Sequence, residues 1–304
     1  MASFQSRIAE LLLPFLGVKA FFSEPERMPG RLARERARKP ARPRAKWHQQ
    51  FRITEDSSRG YPVVTVAPLE PVASGAPHLL YLHGGGYVLD VSSFHFDAVC
   101  SLCQRLGASA TIPVYPLAPE NKASEILSAM GALYREVAGR HGAEQLVVMG
   151  DSAGGGMSLA LAQSLKAGGE ALPAALVLWS PWLDATATAE GQASIEPQDK
   201  LLARSGLVAC GEAYAGTLPL TDPRVSPLFG DLAGLPPMAI FAGTRDILVV
   251  DARRLAASPE VAGDPRSRYR EYPEMQHVWM LLPLPEARRA VSETADFIEQ
   301  AIAR

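Results

Sequence analysis

Residues 146–155 are Leu146-Val147-Val148-Met149-Gly150-Asp151-Ser152-Ala153-Gly154-Gly155. An apolar run leads directly into the pattern G-x-S-x-G, which is typical of a strand that turns sharply into a helix. Only small neighbours permit such a turn, and the turn holds the serine hydroxyl above the edge of a sheet. The stretch therefore predicts an α/β fold in which Ser152 is a nucleophile.

A second glycine-rich segment follows another apolar run, residues 78–82, and consists of His83-Gly84-Gly85-Gly86-Tyr87. Its glycines offer bare backbone N–H groups where side chains would obstruct a bound oxyanion. Each of the two motifs stands at the end of a predicted strand. Together they indicate a serine hydrolase.

From residue 50 onward, strand-like runs alternate with helical patterns. The predicted strands are 52–55, 61–66, one that ends at His83, 110–115, 146–149, 175–179, 238–242 and 268–272. The first two are joined by a short turn, so they should pair antiparallel. The later ones alternate with helices, as in a parallel sheet. We expect a mostly parallel, eight-stranded sheet covered by helices on both faces.

Two parts of the chain do not fit this alternation. Residues 1–50 are expected to form an N-terminal helical cap segment and a basic linker, and residues 51–304 a catalytic domain. Within that domain, about 181–236 should be a cap insertion with short helices, for example around 200–215, because a structureless loop of that length is improbable. Both parts should form a helical cap over the carboxyl ends of the strands.

Composition and charge exclude some classes of function. The chain is 47% hydrophobic and 20% charged, as globular proteins are, and its net charge of −2 argues against a general nucleic-acid binder. Residues 31–46, the basic segment, contain eight Lys or Arg and one acid. Such a block is more often a solvated arm or helix face than a binding site for anions, and the prolines at 40 and 43 suit a linker.

The apolar stretch 11–22 near the N-terminus is too short to span a membrane, so no stable membrane insertion is expected. It predicts a helix packed over another part of the protein, with loose contact to a membrane surface as the alternative.

The chain has three cysteines, Cys100, Cys103 and Cys210. This odd, small number favours a reducing compartment and hence a cytoplasmic location. Cys100 and Cys103 lie on the apolar face of a helical pattern, and no second cysteine pair completes a zinc site, so they should be buried and no metal is expected. The glycine-rich segments match no nucleotide-binding motif, and no cofactor is expected.

A serine nucleophile needs a base. The candidates are His48, His78, His83, His95, His141 and His277. We select His277 because it follows the last predicted strand, in a loop on the same side of the sheet as Ser152. His48, His78 and His141 precede predicted strands, His95 begins a helix, and His83 belongs to the glycine motif.

The base needs an acid to orient it. Asp246 lies in the loop after the strand 238–242 and should project from the correct end of the sheet. Asp251 is the alternative, although it also resembles the cap of a helix over 252–257. The order Ser152, Asp246, His277 matches the nucleophile–acid–histidine order of one large hydrolase fold.

These motifs and their order resemble those of the hormone-sensitive-lipase-like group of α/β-hydrolases. The matching segments are His83–Gly86, Tyr115–Glu120, Gly150–Gly155, Ser180–Asp184, Asp222–Leu228 and the regions of Asp246 and His277. The resemblance implies an esterase-type acyl hydrolase with a helical cap, and an oxyanion hole formed by the backbone N–H groups of Gly85, Gly86 and Ala153. It is also compatible with a homodimer.

The chain departs from the group at two places. Val249-Val250-Asp251 stands where an Asp-Glu-Gly element is common, and Glu274-Met275-Gln276 where a glycine is common before the histidine. Neither departure removes a catalytic group.

The expected function is hydrolysis of small to medium acyl esters by a serine carboxylesterase. An amidase, a deacetylase and a lactone hydrolase would use the same triad, and a non-catalytic small-molecule-binding protein on this scaffold is a further alternative. Tyr87, Trp182 and Asp184 are candidates for the substrate pocket. Structural packing is the competing role for Trp182 and Asp184.

Overall fold

The computed structural model describes residues 2–70 and 75–303. Its strands are β1 Phe51–Asp56, β2 Val63–Pro68, β3 His78–Leu82, β4 Ser109–Pro113, β5 Leu146–Asp151, β6 Ala175–Trp179, β7 Met238–Gly243 and β8 Arg268–Tyr272. They form one sheet in the order β1-β2-β4-β3-β5-β6-β7-β8. The β1–β2 and β2–β4 pairs are antiparallel and the others are parallel. The predicted mostly parallel, eight-stranded sheet is confirmed.

The helices cover both faces of this sheet. They are α1 Phe4–Leu12, α2 Val18–Ser23, α3 Met28–Arg36, α4 Ser93–Leu106, α5 Ala123–His141, α6 Ala153–Ala167, α7 Gln192–Ile195, α8 Arg204–Ala215, α9 Val249–Ala256, α10 Pro259–Ala262 and α11 Pro285–Ile302. Short 3₁₀ turns at Leu13–Leu16 and Trp279–Leu281 adjoin the site described below.

Alternate residues of each strand enter different apolar cores, as the two-residue period of a strand requires. In β3, Leu80 and Leu82 pack with α5, α6 and α9 on one face. Leu79 and Tyr81 pack with α4 and α11 on the other. Cys100 and Cys103 of α4 are buried and free, as expected.

The turn from β5 into α6 holds Ser152 in a strained backbone conformation, with φ +52° and ψ −121°. Its N–H donates to the carbonyl of Trp179 in β6 at 2.9 Å, which ties the turn to the sheet. A Cβ on Gly154 would collide with the carbonyl of Leu82, so only glycine lets α6 begin this close to β3. The small residues of the motif therefore permit the turn that places Ser152 at the carboxyl end of β5.

The two parts outside the alternation are helical. Residues 1–50 contain α1 to α3, and the insertion contains α7 and α8. Helix α2 packs against α8, so the N-terminal segment and the insertion form one cap. In the described part of the chain, no helix has both the length and the apolar composition needed to cross a membrane.

Six of the eight basic side chains in the basic segment are exposed, as a solvated arm or helix face would be, but several of them also contact the rest of the protein. Arg36 donates to the carbonyl of Val88 at 2.7 Å and pairs with Glu120 at 3.1 Å. Arg44 pairs with Asp97 of α4 at 2.6 Å. The positive charge of the segment is partly neutralised because its arginines bind acids and carbonyls of the catalytic domain.

Candidate active site

Three side chains meet at the carboxyl ends of the parallel strands. Ser152 follows β5, Asp246 follows β7 and His277 follows β8. Ser152 Oγ lies 2.9 Å from His277 Nε2, and His277 Nδ1 lies 2.8 Å from Asp246 Oδ2. The structure thus brings together the three side chains predicted to act as nucleophile, acid and base, which are 94 and 31 residues apart in sequence.

The surroundings of His277 favour its protonated form. Burial works against the charge, but the carboxylate of Asp246 and its hydrogen bond outweigh that effect, and Asp199 and Asp151 add to them. The pKa of His277 is therefore raised above its ordinary 6.5. An imidazole with a raised pKa is a stronger base toward the serine proton and is stabilised after accepting it.

Asp151 joins the two glycine-rich motifs. Its carboxylate is buried and accepts hydrogen bonds from Tyr81 Oη at 2.5 Å and from the Gly84 N–H at 2.9 Å. His95 Nε2 lies 3.4 Å away. Burial alone would raise the pKa of Asp151, yet His95 and these hydrogen bonds lower it. The ionised carboxylate thereby fixes the second motif beside the nucleophile turn.

The three residues expected to form the oxyanion hole lie in two places, the loop after β3 and the first turn of α6. Gly85 and Gly86 line the same cavity as Ser152. Gly85 has φ +118°, and a Cβ there would lie 2.7 Å from the carbonyl of Leu89, so the loop needs glycine. Ala153 is buried and is the first residue of α6, where N–H groups lack helical partners and the helix end carries partial positive charge.

The cavity above Ser152 has a volume of about 300 Å³ and is predominantly apolar. The N-terminal segment and the insertion supply much of its wall, through Leu13, Leu16, Val18, Phe22, Leu201 and Leu202. The loop after His277 supplies three further apolar residues, Val278, Leu281 and Leu282. The site therefore suits an apolar group attached to the reacting carbonyl.

The prediction that Tyr87, Trp182 and Asp184 line the pocket is wrong, because all three are packed inside the protein. The Tyr87 ring stacks on Tyr214 at 3.7 Å and lies 5.5 Å from the Trp182 ring. Asp184 is 2% exposed and pairs with Arg254 at 2.6 Å. The chain does enter the cap there, but these side chains point into the interface between the cap and the sheet domain.

Asp251 is not a helix cap, contrary to expectation. Helix α9 begins at Val249, so Asp251 lies inside its first turn. Its buried carboxyl accepts hydrogen bonds from the N–H groups of Leu183 and Asp184 at 3.3 and 3.1 Å. Burial and the nearby Asp184 carboxylate raise the pKa of Asp251 to about 8.

Sequence patterns did not identify Asp199, which connects the cavity wall to the catalytic loop. Its Oδ1 accepts hydrogen bonds from the N–H groups of Leu201 and Leu202 at 2.8 Å each, and its Oδ2 accepts one from Ile247 at 3.0 Å. Ile247 directly follows Asp246. An acid two residues before a pair of leucines could have suggested a turn, but its partner beside Asp246 is distant in sequence.

Comparisons with known proteins agree with this geometry. The family model described as the α/β hydrolase fold matches residues 79–281. An acetyl-hydrolase of Streptomyces hygroscopicus is 35% identical over 77% of this chain and 79% of its own length. A triacylglycerol lipase of Mycobacterium tuberculosis is 34% identical over 73% of this chain, which spans 46% of that protein.

A solved structure gives the same result. The hormone-sensitive-lipase homologue EstE7 from a metagenome library superposes with a TM-score of 0.83 and 28% identity, covering 99% of this chain and 100% of that one. The chain therefore belongs to the α/β-hydrolase fold family, and within it to the group of esterases similar to hormone-sensitive lipase.

Proposed function

We propose that this chain is a serine carboxylesterase that hydrolyses small to medium acyl esters through an acyl-enzyme. One observation carries the proposal: Ser152 Oγ, 2.9 Å from His277 Nε2, opens into an apolar cavity lined by Gly85 and Gly86. A nucleophile, its base and backbone donors thus face one space in which a carbonyl can sit.

The proposed reaction has two halves. His277 takes the proton of Ser152 as the serine oxygen attacks the ester carbonyl, and Asp246 stabilises the imidazolium. The N–H groups of Gly85, Gly86 and Ala153 receive the oxyanion. His277 then protonates the departing alcohol, which leaves an acyl group on Ser152. In the second half His277 takes a proton from water as the water oxygen attacks the acyl carbonyl, and it returns that proton to the serine oxygen as the carboxylic acid leaves.

The cavity supports a limit on the acyl chain. At about 300 Å³ it is at the small end of ligand pockets, and its apolar wall offers few partners to a charged acyl group. We infer acyl chains from acetyl to medium length. Two of the relatives are named an acetyl-hydrolase and a triacylglycerol lipase, and both names describe hydrolysis of acyl groups.

A substrate panel tests the proposal. It contains p-nitrophenyl esters of increasing acyl length, the matching p-nitroanilides, and simple lactones. We expect kcat/KM to be highest for short or medium esters and to fall for long ones. Preferential turnover of anilides or lactones would instead identify an amidase or a lactone hydrolase, and no turnover at all would favour a binding protein. The cytoplasmic location and the homodimer stay predictions.

A further inference from the structure

We propose that the exposed side of the N-terminal segment docks reversibly on an anionic lipid surface. The apolar face is defined as Phe4, Ile8, Leu11, Leu12, Phe15 and Leu16. These are six of the nine large apolar side chains that stand exposed in the described residues, and Phe15 is 86% exposed. Contiguous exposure on this scale marks an interaction site rather than ordinary surface.

The amphipathic helix α1 turns its apolar residues toward solvent instead of toward the protein core. Two of its polar residues face the protein: Ser6 Oγ donates to Glu286 of α11 at 2.6 Å, and Glu10 pairs with Arg245 at 2.5 Å. Gln5 and Arg7 are exposed beside the apolar face. Its apolar residues at positions 4, 8 and 11 form one stripe of the helical surface and point to solvent, and Phe15 of the following 3₁₀ turn is exposed as well. The helix is therefore held to the protein by polar contacts, while its apolar stripe remains uncovered.

The apolar face is continuous with the substrate cavity. Leu16 belongs to both, being 64% exposed while lining the cavity. Phe94 also lines the cavity and is 43% exposed. A surface that covered the apolar face would thus lie at the entrance through which an ester reaches Ser152.

Basic side chains outnumber acidic ones beside this entrance, although several of them are paired: Arg44 and Lys46 with Asp97, and Arg38 with Glu35. Phe94 also lines two grooves that adjoin the cavity. One is lined by four basic residues and one acid, Arg44, Lys46, Arg105, Arg288 and Asp97. The other is lined by three basic residues and two acids, Arg31, Arg38, Lys39, Glu35 and Asp90.

The charge beside the apolar face favours an anionic lipid surface over a second copy of the chain as its binding partner. A second copy docked through the same face would bring basic grooves against basic grooves, whereas an anionic lipid surface complements them. An apolar stripe with basic flanks is the pattern of helices that lie in the plane of a membrane interface. A helix of nine residues can insert only its side chains there, so the binding is peripheral.

Sedimentation with vesicles tests the inference. The full chain is mixed with vesicles of phosphatidylcholine alone or of phosphatidylcholine and phosphatidylglycerol in equal parts. The variant Phe4→Ser/Leu11→Ser/Phe15→Ser removes the apolar stripe without touching the cavity. Its matched control, Leu69→Ser/Phe229→Ser, changes exposed apolar residues elsewhere. Circular dichroism confirms that both variants are folded.

We expect the unmodified chain to sediment with the anionic vesicles, and the triple variant to bind them on the order of tenfold or more weakly. The control should bind like the unmodified chain. Lys39→Glu/Arg288→Glu should lose about fivefold or more of the preference for anionic over neutral vesicles. The readout is binding, so it does not depend on the proposed ester hydrolysis.

Three results would overturn the inference. They are equal or absent sedimentation with both kinds of vesicle, unchanged binding of the triple variant, and a lipid-free dimer in light scattering that the triple variant dissociates. The last result would assign the apolar face to a second copy of the chain.

Discussion

Glu10 of the cap and Gln276 of the histidine loop are joined by a hydrogen bond of 3.0 Å. The same carboxylate pairs with Arg245 at 2.5 Å. Gln276 directly precedes His277, and Arg245 directly precedes Asp246. One carboxylate of the first helix therefore holds both loops that carry the partners of Ser152, and the cap is part of what aligns them.

Replacement of Glu10 should impair turnover more than folding. Glu10→Ala removes one contact from each of the two loops, although Gln276 keeps its hydrogen bonds to Gln198 and Lys200. Misplacement of reacting groups on the scale of an ångström can cost about 10² in rate, so we expect a fall of about tenfold or more in kcat. Glu10→Gln should recover part of it. The control is Glu26→Ala, an exposed acid on the same segment. Ester kinetics and thermal unfolding measure the two effects, and an unchanged kcat in Glu10→Ala would contradict the role.

Asp199 should set the acid limb of the pH profile. His277 acts as a base only when neutral, so kcat/KM falls as pH drops through its raised pKa. The carboxylate of Asp199 favours the imidazolium, as do those of Asp246 and Asp151. In Asp199→Asn that contribution is lost, the pKa of His277 falls, and the acid limb should move to lower pH by about one unit or less.

The measurement is kcat/KM against pH for a soluble ester. Burial and the neighbouring Asp246 raise the pKa of Asp199 itself to about 6, so the two profiles should differ most between that pH and the raised pKa of His277. Asp222→Asn is the control, because Asp222 accepts from the backbone N–H of Arg224 in an exposed turn. An acid limb that moves to higher pH, or that also moves in the control, would contradict this electrostatic role.

Tyr81 should stabilise the fold through Asp151. Tyr81→Phe removes a donor 2.5 Å from a buried carboxylate, and an under-satisfied buried acceptor costs roughly 1–3 kcal/mol of unfolding free energy. Tyr61→Phe is the matched control because its hydroxyl lies 3.5 Å from the carbonyl of Ala129, a marginal hydrogen bond. Urea unfolding compares the two variants, and equal losses would show that the Asp151 contact is not special.

Asp251 should make the protein less stable as pH rises. In the fold its pKa is about 8, against an ordinary 3.8. Between these values the unfolded chain has released a proton that the folded chain keeps, so the free energy of unfolding falls as pH rises through that window. Asp251→Asn cannot ionise and should lack this component.

Urea unfolding at several pH values from acid to mildly alkaline checks the prediction. The difference in stability between Asp251→Asn and the unmodified chain should shift in favour of the variant as pH increases. A difference that stays constant across the range would mean that Asp251 ionises in the fold as it does in the unfolded chain.

What the sequence predicted and what it did not have a common physical basis. The strands and the positions of Ser152, Asp246 and His277 follow from local patterns, since each of these residues comes soon after the carboxyl end of a predicted strand. The cavity wall does not follow from such patterns. Leu13 and Leu201 both line the cavity, and the helices that follow them, α2 and α8, pack against each other. Glu10 and Gln276 are likewise in contact although most of the chain separates them in sequence.

The same distinction explains the errors. Asp184 enters the cap as expected, but whether a side chain there faces the cavity or the interior depends on tertiary packing against Arg254. The arginines of the basic segment are largely exposed, as expected, but the acids with which some of them pair, such as Asp97 and Glu120, are distant in sequence. The pattern of charges along a sequence shows which residues need an oppositely charged partner, but it does not show which residue that partner is.

The central claim, that Ser152 is the nucleophile activated by His277, is tested most directly by covalent labelling. The folded chain is treated with a fluorophosphonate ester, and peptide mass spectrometry locates the adduct. We expect one adduct, on Ser152, that is absent in Ser152→Ala and forms far more slowly in His277→Ala, with both variants folded by circular dichroism. An unlabelled Ser152 in folded, unmodified protein, or normal ester hydrolysis by Ser152→Ala, would contradict the claim.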